Sequence, residues 1–122
     1  MNKETVIQNR CMIAIGCRPD ALVLRLHVGK YRPIHDPKQV VSIGEPGWPD
    51  TLVLVKTRIT EDMLGKEICV AAAGEIKTPV GRQAEVQRNW QAAFEKRAGI
   101  YRLVRSPEEM VQLVEDVANG RW

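Results

Sequence analysis

The chain is poor in cysteine and in aromatic side chains. Its 122 residues hold only Cys11, Cys17 and Cys69, with no CxxC pair. An odd number of thiols at such spacing excludes a disulfide framework and a zinc-ribbon type of site, and points to reduced cysteines in a cytoplasmic setting, a bacterial cell or a phage-infected host. With three tryptophans, two tyrosines and one phenylalanine, the core has to be built mainly from Val, Ile, Leu and Ala. No apolar run approaches the length of a membrane span, and Met1–Arg10 lacks the basic start and apolar run of a secretory signal. His27 and His35 have no partner at ligand spacing.

What is present suits one folded domain over residues 1–122, long enough to bury a core without staples. The formal charge of +3 is modest, but it is unevenly spread. Lys77, Arg82, Arg88, Lys96, Arg97, Arg102 and Arg105 crowd one stretch opposed only by Glu85 and Glu95, and an acidic segment with Glu108, Glu109, Glu115 and Asp116 follows. A basic stretch beside carboxylates is compatible with phosphate binding, and equally with a solvated helix face.

Periodicity predicts a first helix over Lys3–Ile15, capped by Asn2, with Ile7, Cys11, Ala14 and Ile15 on one face. A strand over Ala21–Val28 follows. Arg32–Pro49 reads as a loop broken by Pro33, Pro37, Gly44, Pro46, Gly47 and Pro49. A second strand runs from Thr51 toward Ile59, a hairpin connection covers Glu61–Lys66, and a third strand covers Glu67–Lys77, where Gly74 allows a bulge or a close backbone approach. A second helix spans Gln83–Arg97 with an apolar stripe of Val86, Trp90, Ala93 and Phe94 and with Gly99 as its C′ residue. A fourth strand covers Ile100–Val104. Ser106-Pro107-Glu108-Glu109 forms a capping box with proline at N1 for a last helix, running to about Val117. The order is α-β-β-β-α-β-α. The helix between the third and fourth strands is a crossover, which makes those strands parallel in a mixed sheet flanked by helices, an α/β fold.

Three ionisable residues stand out by position. Asp50 opens the second strand after Gly47-Trp48-Pro49, and Glu75 and Lys77 end the third, on one face by strand alternation. If the second and third strands pair as a hairpin, Asp50 and Glu75 meet at one end. Two fixed carboxylates form a hard oxygen site suited to Mg²⁺ or Mn²⁺. A neighbouring lysine can orient water or neutralise charge, which is the equipment phosphodiester hydrolysis needs.

The set Gly47-Trp48-Pro49-Asp50, Glu75-Ile76-Lys77, Gly81-Arg82 and Gln87 resembles the VRR-NUC (virus-type replication-repair nuclease) family of the PD-(D/E)xK superfamily. The aliphatic Ile100–Val104 and the helix start Ser106–Glu109 fit the same pattern. The resemblance implies a restriction-endonuclease-like core and a metal site from Asp50, Glu75 and the backbone carbonyl of Ile76. It implies Lys77 as catalytic lysine, Gln87 beside it, and Glu4 as the glutamate of the first helix. Arg82 and Arg88 are the expected DNA contacts. Small stand-alone relatives are similar to phage endonucleases that act as homodimers on branched DNA, including four-way (Holliday) junctions, so this analogy makes DNA the expected partner. The competing expectations are a nuclease-fold protein that binds DNA without cutting it, and a small partner-binding α/β domain, the latter suggested by the bland net charge and by Trp122 at the C-terminus.

Overall fold

The computed structural model describes residues 3–122, so the Asn2 cap lies outside the described residues. The chain forms two compact units, Met1–Leu54 and Val55–Trp122. The fold class is α/β, but among the described residues the strands form three two-stranded ladders rather than one mixed sheet.

In the first unit, α1 (Lys3–Gly16) packs on β1 (Ala21–Arg25), and Arg25 donates to the Asn9 side-chain oxygen at 3.0 Å. No residue of α1 is buried, and Ile7 on its expected apolar face is 61% exposed. β1 pairs with β4 (Thr51–Val55), and the Leu26 N–H donates to the Asp50 carbonyl at 2.9 Å. One short strand lies just before the segment expected to be loop, Arg32–Pro49, and a second lies within it. β2 (Gly29–Tyr31) and β3 (Val41–Ile43) run antiparallel, with Lys30 opposite Ser42. Arg32 closes the intervening loop by donating to the Pro37 carbonyl at 3.2 Å.

The predicted hairpin between the second and third strands is not what the ladders form. β4 has β1 as its partner, and β5 (Ala72–Ile76) has β6 (Ile100–Val104). Strand length follows the partner: β1 and β4 are five residues each, so residues 56–59 stay outside a ladder. A 3₁₀ turn, Glu61–Met63, stands where the hairpin connection was expected. β5 begins at Ala72 because that residue pairs with Ile100, the first residue of β6, and Glu67–Val70 face no strand.

The second unit has the expected crossover. α2 (Glu85–Lys96) links β5 to β6, which are parallel and in register from Ala72–Ile100 to Ile76–Val104 without a bulge. α3 (Pro107–Ala118) follows. The Ser106 hydroxyl caps α3 by accepting the Glu109 N–H at 3.2 Å, while the Glu109 carboxylate accepts from the Arg105 N–H at 2.7 Å instead of the N-cap residue's own. Ile100, Val104 and Leu113 form the core, with Val70, Met110 and Val117 packed around them. Gly74 serves close approach: a Cβ there would lie 2.8 Å from Met110 Cε.

The end of α2 differs from expectation in an informative way. The left-handed C′ position belongs to Ala98, at φ 66°, and Gly99 is one residue later. The Ala98 N–H donates to Glu95 O at 2.9 Å and the Gly99 N–H to Phe94 O at 3.0 Å, the paired bonds of a Schellman ending. Gly99 is required for space, since a Cβ there would run into the Phe94 ring, which is 2% exposed. Among the described residues, no helix is long and apolar enough to cross a membrane.

Candidate functional site

Alternation along the β5–β6 ladder sorts its side chains between two helices. Gly74 and Val104 meet Met110 of α3, whereas Ala73, Glu75 and Tyr101 line a recess together with Val86, Gln87 and Trp90 of α2. The recess is open and measures about 270 Å³. It brings together two of the residues expected at the site, Glu75 and Gln87. Lys77 is one strand repeat beyond Glu75, and its N–H extends the ladder by donating to Val104 O at 3.0 Å.

The ladder also decides what the Ile76 carbonyl faces. Ile100 donates to Ala71 O, and Lys77 donates to Val104 O. In a parallel pair the bonding residues alternate, so the odd-numbered residues of β5 bond to β6, and the groups of Ile76 project from the opposite edge.

Gln87 has a structural task as well. Ala84 at the N-cap of α2 has no side-chain oxygen, and the Gln87 carboxamide oxygen accepts the Ala84 N–H at 2.9 Å. Its NH₂ end is the part that can serve a ligand.

The basic stretch is less of a phosphate footprint than its composition suggested. Arg105 donates to Thr78 O at 2.5 Å and to Gly81 O at 2.9 Å, pinning the turn after β5 to the end of β6. Arg102 pairs with Asp116 of α3 at 2.7 Å, Arg88 donates to Gln83 O at 2.6 Å, and Arg97 donates to Ala93 O at 2.9 Å. Arg82, Arg88 and Lys96 are exposed.

Asp50 and Glu4 belong to the first unit, both exposed, Glu4 in the first turn of α1 and Asp50 just before β4. Among the described residues no group of three or more His, Cys, Asp or Glu is placed to hold a metal ion. In the second unit the oxygen donors are the Glu75 carboxylate and the adjacent Ile76 carbonyl. A carboxylate, a carbonyl and water are a donor set that suits Mg²⁺, which keeps several waters and takes one or two carboxylates.

Sequence alone does not mark Trp90 and Tyr101 as lining residues of the recess, because an apolar stripe explains a tryptophan without invoking a ligand. The available signal was the spacing of Gln87 and Trp90, three apart and therefore neighbours on a helix. Trp90 stacks on Phe94 with ring centroids 4.8 Å apart, and Tyr101 lies at 6.2 Å from Trp90. The Tyr101 hydroxyl accepts from the Gln83 amide at 3.1 Å, which also donates to Gln91 at 2.7 Å. Comparison with protein-family models, with curated proteins and with solved structures finds no match to this chain.

Proposed function

We propose that this chain is a Mg²⁺- or Mn²⁺-dependent endodeoxyribonuclease of the VRR-NUC kind, with a restriction-endonuclease-like core, acting on branched DNA such as four-way junctions. The observation that carries the reading is the end of β5: Glu75 shares a recess with Gln87, Lys77 follows one repeat later, and the Ile76 carbonyl projects from the edge away from β6. When bound, the metal would acidify water and set positive charge against a phosphoryl oxygen. Glu75 and the Ile76 carbonyl would hold it, with Asp50 and Glu4 carried as further carboxylates by the resemblance. The Lys77 ammonium neutralises charge growing on the phosphate. The Gln87 NH₂ positions water or a phosphate oxygen. Arg82 and Arg88 contact the backbone electrostatically.

A homodimer fits the same reading, because paired cuts in a junction need two centres. Supporting it, Ile7 and Ile13 of α1 and Leu52, Val53, Ile59, Leu64 and Ile68 along the stretch from β4 to β5 are all exposed. Exposed apolar area left over from the core is what an association surface needs.

The test is incubation with labelled duplex, single-stranded, flap and four-way junction DNAs, with Mg²⁺, Mn²⁺ or EDTA. Metal-dependent nicking, strongest on branched substrates, is expected. Absence of cleavage on every substrate with either metal would sink the reading. One observation favours the partner-binding alternative: Trp122, 61% exposed, lines an apolar groove of about 720 Å³ with Ile68, Met110 and Val114. Weak DNA binding that does not respond to salt would support it.

A further inference from the structure

We propose that the recess between α2 and the β5–β6 ladder takes up one unpaired nucleobase of the bound strand, stacked against Trp90. The inference rests on the nuclease reading for the strand's presence at Glu75; the stacking chemistry does not depend on cleavage.

Size comes first. At about 270 Å³ the recess lies just under the usual range of ligand sites and has room for one planar ring system. Its lining is the right kind. Trp90 and Tyr101 supply aromatic surface and Val86 an apolar flank, while Glu75 and Gln87 mark the polar side of the recess, where the phosphate would sit. The aromatic walls are fixed before any ligand arrives: the stack on Phe94 holds the indole, and Gln83 holds the Tyr101 hydroxyl, with Gln91 bridging on to Glu95 at 2.7 Å. Pre-set aromatic surfaces bind without paying much ordering entropy, and they tolerate any base because every base has a π-face.

Position gives the site its meaning. Glu75 is the lining residue nearest the C-terminal end of β5, with Lys77 just beyond. A base seated on Trp90 would bring its own phosphate to that end of the strand. A base within a closed duplex is stacked and paired and cannot enter without being extruded. Single-stranded positions at a branch or flap have no such barrier, so the recess would convert unpairing into substrate selection.

The test uses the full chain carrying Trp48→Phe and Trp122→Phe, so that fluorescence reports Trp90 alone, in EDTA to prevent turnover. Titrants are a short single strand, the same strand with abasic positions, its blunt duplex, and free dAMP. Saturable quenching by the single strand is expected, with roughly tenfold or more weaker binding of the abasic strand and the duplex. Equal quenching by the abasic strand would overturn the proposal. Tighter quenching by dAMP than by the strand would overturn it too, by making the ligand a free nucleotide. By fluorescence anisotropy of a labelled single strand, Trp90→Leu should weaken binding on the order of tenfold while Trp90→Phe retains most of it. Cleavage is scored separately. Quenching without cleavage keeps the base site and removes the nuclease reading, whereas cleavage without quenching does the reverse.

Discussion

Glu75 and Lys77 share a strand face, yet their expected contributions separate experimentally. Glu75→Ala should abolish cleavage and weaken Mn²⁺ binding, seen by calorimetry, in a protein whose circular dichroism is unchanged. Near-normal cutting would remove Glu75 from the chemistry. Lys77→Ala should lower turnover of bound DNA by about 10²-fold or more with little change in affinity. Collapse of affinity with normal single-turnover rates would make Lys77 a phosphate contact only. Asp116 offers a different readout. Hydrogen bonds from Arg102 foremost, then from Gln112 and Arg121, hold its carboxyl below the ordinary aspartate range, against the opposing effect of burial. A depressed folded pKa means that the stabilisation is complete above the ordinary aspartate value of about 3.9 and disappears as pH falls through the lower folded value. Melting temperature measured from pH 5 downward should therefore fall less steeply for Asp116→Asn than for the parent; identical slopes would show that the Arg102 pair contributes nothing.

At the scale of elements, the segments most legible in the sequence were those whose boundaries carry their own chemistry. Ile100–Val104 lies between Gly99 and the Ser106 cap, and the ladder occupies that same range. α3 starts with the expected proline at N1. The β5–β6 pairing was legible because a crossover helix dictates its direction. Strand ends were less legible because they are set by partners distant in sequence: nothing in Glu67–Val70 announces that β6 starts only at Ile100. β2 and β3 were hidden by prolines and glycines flanking three-residue strands too short to show alternation. At the site, strand end and helix position sufficed to bring Glu75 and Gln87 together, while the aromatic recess needed the packing of α2 on β6 to become visible. The ending of α2 gives a sharp test. Ala98 holds a left-handed conformation that disfavours an L side chain by roughly 1–2 kcal/mol, part of which the greater unfolded-state freedom of glycine cancels. Ala98→Gly should raise stability by about 0.5–1 kcal/mol in urea titration, whereas Gly99→Ala, with the Phe94 ring in its way, should lower it by about 1–3 kcal/mol. A stabilising Gly99→Ala would contradict the packing argument.

For the whole molecule, the division into Met1–Leu54 and Val55–Trp122 puts the boundary where few side chains are covered. Lys56, Arg58 and Lys66 are all exposed, so brief trypsin treatment should cut first in this stretch. Light scattering at micromolar concentration should give a dimer mass, and Ile7→Glu or Leu52→Glu should shift it toward monomer. A monomer that persists with junction DNA would leave single nicks as the activity.

The contact between Gly74 and Met110 carries a chemical liability. The thioether lies against bare strand backbone and beside Val104, in a gap shaped by the missing side chain. Sulfoxidation would add a polar, hydrogen-bond-seeking oxygen to packing made with Gly74 and with the apolar core of Ile100, Val104 and Leu113. Oxidation at Met110 would thus act on this protein through its α3 packing rather than through the recess on the other face. Mild oxidation should lower the melting temperature, methionine sulfoxide reductase should restore it, and Met110→Leu should keep the fold while abolishing most of the sensitivity.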